Sequence, residues 1–145
     1  MKQLETTITI EAPAQKVWNI LTDFSSYPEW NPFIQTVTGD PQQGKQLGIQ
    51  LKVGDRSPQT FQPIVLVNEP AREFRWRGKL FIKGLFDGEH YFQLQDLGAN
   101  RTRLIHGENF SGLLSGLIMR SIEQDTREGF ERMNHALKQR AEQKA

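Results

Sequence analysis

The chain has no cysteine among its 145 residues. That excludes disulfides, thiolate metal sites and cysteine nucleophiles, and it suits a reducing cytosol. A surplus of charge is missing too: 18 basic residues stand against 17 acidic ones, a formal net charge of +1, and no run of five or six like charges occurs. Nucleic acid, which calls for a basic patch or stripe, is therefore not an expected partner. Long apolar runs are also lacking. No segment approaches the roughly 18 apolar residues of a membrane span. The opening stretch MKQLETTITIEAPAQ alternates polar with apolar residues where a secretion signal would be continuously apolar. Together these absences predict a cytoplasmic protein without stable membrane insertion.

What the chain does have is enough apolar material for one core. With 37% hydrophobic and 10% aromatic residues, positions 1–145 fit a single domain, and no repeat, low-complexity tract or linker divides them. Leu4, Thr6, Ile8 and Ile10 alternate with polar neighbours, the period of a strand with one buried face. Pro13 suits the first turn of a following helix, whose apolar face is Val17, Trp18, Ile20 and Leu21 and which ends near Asp23. From Phe33 to Phe110 strands and turns are expected. Leu47, Ile49, Leu51 and Val53 mark one strand, and Phe61, Val65 and Val67 the next, with Pro63 signalling an edge or a bulge. In REFRWRGKL, residues 72–80, Phe74, Trp76 and Leu80 share one face, and Arg75, Arg77 and Lys79 form a solvated face opposite.

The segments HYFQLQDL and RTRLIHGENF flank Gly98, Ala99 and Asn100, and a three-residue loop with Asn100 left-handed would join them as a hairpin. With Leu97 facing Arg101, Leu94 faces Leu104, Phe92 faces His106 and His90 faces Glu108, all on one side of the sheet. The apolar pairs support that register, because a one-residue slip would turn one strand inside out. Two histidines and a glutamate then point inward. After Phe110 a proline-free stretch reads as one long amphipathic helix, with Ile118, Ile122, Gly129, Met133, Ala136 and Leu137 on one side and Arg120, Gln124, Arg127 and Glu131 on the other. Gly129 suggests a close backbone approach or room left for another group, and a merely tolerated glycine is the simpler reading.

DFSSYPEWNPFI, residues 23–34, places four aromatic residues and two prolines in a turn. Turns normally run over the surface, so Phe24, Tyr27, Trp30 and Phe33 must bury themselves against the end of a core or the wall of a ligand cavity. Pro28 and Pro32 allow at most a short helical turn there. No GxSxG elbow, HExxH helix or phosphate-cradling glycine loop is present. The candidate catalytic residues are His90, His106 and Glu108, since a histidine poised by a carboxylate can move protons on a bound carbonyl compound. The alternative is a cross-strand ion pair or hydrogen bonds that satisfy buried polar groups. Imidazoles at offset cross-strand positions form no recognised zinc spacing, so neither a metal nor another cofactor is expected.

VWNILTDFSSYPEWNPF after a first strand, strands ending in TRLIHGENFSGLL, and a terminal helix carrying GFERMNHALK together resemble the SRPBCC superfamily. This is the START-like, Bet v 1-like group that includes polyketide cyclase/dehydrase-like proteins. The resemblance spans essentially the whole chain, and WNPF and FSGLL carry most of it. It implies an α+β helix-grip fold: a seven-stranded antiparallel sheet wrapped around the long C-terminal helix, with two short helices after strand 1. It also implies a hydrophobic cavity between sheet and helix that takes a lipid, isoprenoid or polyketide-like molecule, bound by a monomer or homodimer. The lining would be Trp30, Phe33, Leu51, Phe61, Trp76, Leu80, Phe86, His90, Phe92, His106, Glu108, Phe110, Ile118 and Ile122. The apolar content of FIKGLFDG at 81–88 suits a lid over the cavity mouth, the alternative being a loop packed on the long helix or on another subunit. A cyclase/dehydrase-type enzyme using His/Glu acid-base chemistry is the alternative.

Overall fold

The alternation at the start of the chain forms β1, Lys2–Ile10, which buries Leu4, Thr6 and Ile10. The computed structural model describes residues 2–79, 87–112 and 115–143. Pro13 takes the N-cap of α1, Ala14–Thr22, and its carbonyl accepts the amides of Lys16 and Val17. Its missing N–H would have had no helical partner there. Val17, Trp18 and Leu21 are the buried face of α1.

The aromatic stretch follows as a 3-10 turn, Phe24–Ser26, and a single turn of helix, α2, Tyr27–Trp30. Its polar residues hold the two ends. Asp23 accepts the hydroxyls of Ser25 and Ser26, and Asn31 Oδ1 accepts the amides of Phe33 and Ile34. Phe24, Tyr27 and Phe33 are buried and Trp30 is half-buried. Phe24 packs against Tyr27 at 5.7 Å and Phe74 at 6.0 Å between ring centroids, so this turn closes one end of the core.

The remaining strands are β2 (Ile34–Thr38), β3 (Gly48–Leu51), β4 (Gln59–Phe61), β5 (Ile64–Glu69), β6 (Glu73–Lys79), β7 (Asp87–Gly98) and β8 (Arg101–Ser111), followed by α3 (Ser115–Glu142). All pairings are antiparallel. Where seven strands in one sheet are expected, the described residues form eight strands in two sheets, β1-β8-β7-β6-β5 and β2-β3-β4. The difference lies at Pro63. Having no amide hydrogen, it breaks the expected strand through Phe61, Val65 and Val67 into β4 and β5. The sheets stay tied by backbone bonds from Leu47 N to Pro63 O (2.8 Å), Val65 N to Lys45 O (2.9 Å) and Gly44 N to Val65 O (2.8 Å). The result is a curved wall around α3, the helix grip.

The β7–β8 register is the expected one: His90 lies opposite Glu108, Phe92 opposite His106 and Leu94 opposite Leu104. The turn differs. A bulge leaves Leu97 unpaired and 39% exposed, and Gly98 faces Arg101. The loop has two residues, Ala99 and Asn100, both left-handed at φ 54° and 58°, as in the primed turns that match strand twist.

On the outer face of the sheet, Arg75 pairs with Glu73 and Glu89 at 2.8 Å each and lies 4.7 Å over the Tyr91 ring, while Arg77 is exposed. α3 buries Ile122, Thr126, Phe130, Met133, Asn134 and Leu137, and exposes Arg120, Gln124 and Glu131. Gly129 is explained by close approach: a β-carbon there would sit 2.5 Å from the Phe33 ring, which also meets Phe130 at 5.5 Å. No helix among the described residues is long and apolar enough to cross a membrane.

Candidate functional site

The inward face of the sheet carries two rows of side chains across four strands. One row is Trp76 on β6, His90 on β7, Glu108 on β8 and Leu4 on β1. The adjacent row is Phe74, Phe92, His106 and Thr6. α3 closes over them with Phe130 and Asn134, and every one of these ten residues is buried. Aromatic rings hold both imidazoles. His90 stacks on Trp76 at 4.9 Å, and His106 stacks on Phe130 at 4.2 Å with 13° between the planes.

A single hydrogen-bonded chain runs through these rows, and its direction is fixed from one end. Thr6 Oγ1 donates to the His106 carbonyl (2.9 Å), which can only accept. The Thr6 oxygen therefore accepts from Asn134 Nδ2 (2.8 Å), which turns Asn134 Oδ1 toward His106 Nδ1 (2.8 Å). His106 must then carry its proton on Nδ1. Its Nε2 is an acceptor for His90 Nε2 at 2.7 Å, so His90 carries its proton on Nε2. That leaves His90 Nδ1 as an acceptor facing Glu108 Oε1 at 3.2 Å. The last link is complete only when Glu108 supplies the hydrogen as a carboxylic acid.

Burial acts in the same direction. With no water to solvate charge, the Glu108 carboxyl is pushed up to about 8 and the His90 imidazole down to about 3. His106 is also lowered, by burial and by His90 beside it, although the Asn134 hydrogen bond opposes this. The His90–Glu108 contact has ion-pair geometry, and burial of both groups favours the uncharged pair over the charged one.

The expected residues are distributed as follows. Trp76, His90, Phe92, His106 and Glu108 come together in the two rows, with Phe110 buried two residues further along β8. Leu51 and Ile122 meet at a small apolar pocket of about 20 Å³, room for one water, shared with Val53 and Gln59. Phe61 is half-buried and covers the inward side of Gly78, together with Pro63. Phe33 is spent on Gly129 and Phe130. Trp30 sits beside Tyr27 at 5.2 Å, and its buried indole N–H has no hydrogen-bond partner among the described residues. Leu80, Phe86 and the rest of the expected lid at 81–86 lie outside the described residues, as does the Ile118 side chain. Both nitrogens of His90 and of His106 are engaged within the chain, leaving no imidazole lone pair for a metal.

Sequence reasoning missed Phe130 and Asn134. Phe130 falls on the helical stripe eight residues after Ile122, so the periodicity that marked Ile122 also reaches it. Asn134 is polar, so an apolar periodicity passes over it, yet a polar residue beside Met133 on a buried stripe needs a partner, and two inward histidines were available.

Residues 1–142 match the family described as "Polyketide cyclase / dehydrase and lipid transport", and the chain belongs to that family. Solved structures share its fold. The Zhui aromatase/cyclase from Streptomyces sp. R1128 is 19% identical, with 97% of this chain and 93% of that one covered and a TM-score of 0.75. A START superfamily protein from Mycobacterium smegmatis is 20% identical, with 97% of both chains covered and a TM-score of 0.73. Protein CV1439 from Chromobacterium violaceum is 13% identical, with 99% and 100% covered and a TM-score of 0.77. Comparison with curated proteins gives no match.

Proposed function

We propose that this protein binds a hydrophobic small molecule, a lipid, isoprenoid or polyketide-like compound, between the inward sheet face and α3. The observation that carries this reading is Glu108: a carboxyl buried among aromatic side chains, with Oε1 3.2 Å from His90 Nδ1. Packing alone gives no reason to bury a carboxyl, whereas an apolar ligand site needs a small number of polar groups to orient its occupant. Membership of a family described by cyclase, dehydrase and lipid-transport roles supports it. The same reading makes the protein a cytoplasmic monomer or homodimer that needs no cofactor.

A second reading is favoured by one contact, His90 Nδ1 to Glu108 Oε1 at 3.2 Å. A cyclase/dehydrase-type enzyme acting on a polyketide-like substrate would use this pair, with His106 behind it, to pass protons. Native mass spectrometry of the purified protein tests the common part of both readings. A bound species of a few hundred daltons, released on denaturation and extractable into organic solvent, is the expected result. Spectra of unliganded protein alone, with no uptake from a mixed lipid and polyketide extract, would overturn it. Turnover of the extracted compound would then favour the enzyme over the carrier.

A further inference from the structure

The direction of the hydrogen-bond chain carries more than the identity of its members. Thr6, Asn134, His106 and His90 each have one role as donor and one as acceptor along it, so the proton at the far end has three places to be. It sits on Glu108 Oε1, it has crossed 3.2 Å to His90 Nδ1, or it has been passed on through His90 to His106 Nε2. In the first case the second carboxyl oxygen is the carbonyl oxygen of an acid; in the other two it belongs to a carboxylate. It is a hydrogen-bond acceptor in all three. Glu108 ionised with both imidazoles neutral either sets a carboxylate against the Nδ1 lone pair or turns two Nε2 lone pairs toward each other at 2.7 Å. The next inward position on β7 is Gly88, which places no side chain beside this carboxyl.

We propose that Glu108 is the polar anchor of the ligand site and that it receives a hydrogen bond, so that the ligand is an uncharged apolar molecule carrying a hydroxyl, as a phenol, enol or alcohol, and is not a carboxylate. This rests on the ligand-binding reading and narrows it to a chemical class. A ketone oxygen in the same place would oppose acceptor to acceptor, and a carboxylate would add a second buried anionic group beside the acceptor oxygen. A site built to pair a hydroxyl discriminates strongly against an analogue that lacks it.

The test uses three probes of one shape, 2-naphthol, naphthalene and 2-naphthoate, titrated into the full chain at pH 7 with intrinsic tryptophan fluorescence and calorimetry as readouts. The expected result is 2-naphthol binding about tenfold more tightly than naphthalene, with naphthoate the weakest. Glu108→Leu, which removes the acceptor, should bring naphthol and naphthalene together. Glu108→Gln, which keeps a carbonyl oxygen and an N–H for His90, should retain more of the naphthol preference than the leucine variant does, and it guards against a leucine variant that fails to fold. Equal binding of naphthol and naphthalene by the unaltered chain would overturn the anchor and leave the ligand-binding reading standing. Preference for naphthoate would overturn the anchor's stated polarity. Binding of none of the three would overturn the anchor together with the ligand reading.

Discussion

His106 is held by contacts of two kinds, stacking on Phe130 and hydrogen bonds at both ring nitrogens. Phenylalanine at this position would keep the first and abolish the second, leaving Asn134 Oδ1 and the His90 N–H buried without partners. His106→Phe should therefore destabilise the fold by about 2–5 kcal/mol, measured by urea denaturation, since each orphaned buried group costs about 1–3 kcal/mol. A change below about 1 kcal/mol would mean that the chain contributes little. Gly129 gives a second test at this scale. In an isolated helix Gly→Ala is stabilising by about 1 kcal/mol, but here the new methyl meets the Phe33 ring at 2.5 Å. Gly129→Ala is expected to lose about 1–3 kcal/mol of stability, and Phe33→Leu in the same chain to restore part of it. From the sequence, close approach was one reading of this glycine, beside room for another group and a merely tolerated glycine. The sequence could not name the partner, because Phe33 lies 96 residues away and only the fold brings the two together.

At the scale of elements, the features that depend on local chemistry were legible and those that depend on a neighbouring strand were not. The alternation of the β7 and β8 segments fixed their register, so His90, His106 and Glu108 could be put on one face before any coordinates. Their hairpin turn was misread by one residue. Placing Leu97 opposite Arg101 extends the pairing without a break, whereas the chain bulges at Leu97 and turns on Ala99 and Asn100. Pro63 was read as an edge or a bulge, and its consequence, two sheets joined by the bonds around Lys45 and Leu47, depends on backbone far away in sequence. The turn offers a direct test. Alanine at φ 54° pays a steric penalty that asparagine largely avoids. Ala99→Asn should raise stability by about 0.5–1 kcal/mol and slow unfolding, with no change in the spectra of residues on the inward face.

For the whole molecule, the buried trio links folding to pH with two opposed slopes. Between pH 4.5 and about 8 the unfolded chain has released the Glu108 proton that the folded chain keeps, so this group makes stability fall as pH rises. Between about 3 and 6.5 the unfolded chain binds a proton at His90 that the folded chain excludes, so stability rises with pH, and His106 acts in the same sense. The groups around the trio from β6, β1 and α3 are Trp76, Phe74, Leu4, Thr6, Phe130 and Asn134, none of which titrates in this range. Stability should therefore be greatest near pH 6.5 and fall by about 1 kcal/mol by pH 8, a fall that Glu108→Gln flattens. The most direct measurement is nitrogen-15 NMR of the imidazoles at pH 7, with the Glu108 carboxyl carbon followed in the same sample. A one-way, uncharged chain on the inward face predicts His106 protonated on Nδ1 only, His90 protonated on Nε2 only, and a carboxyl carbon shift in the range of a protonated acid. An imidazolium at either position, or the opposite tautomers, would contradict it.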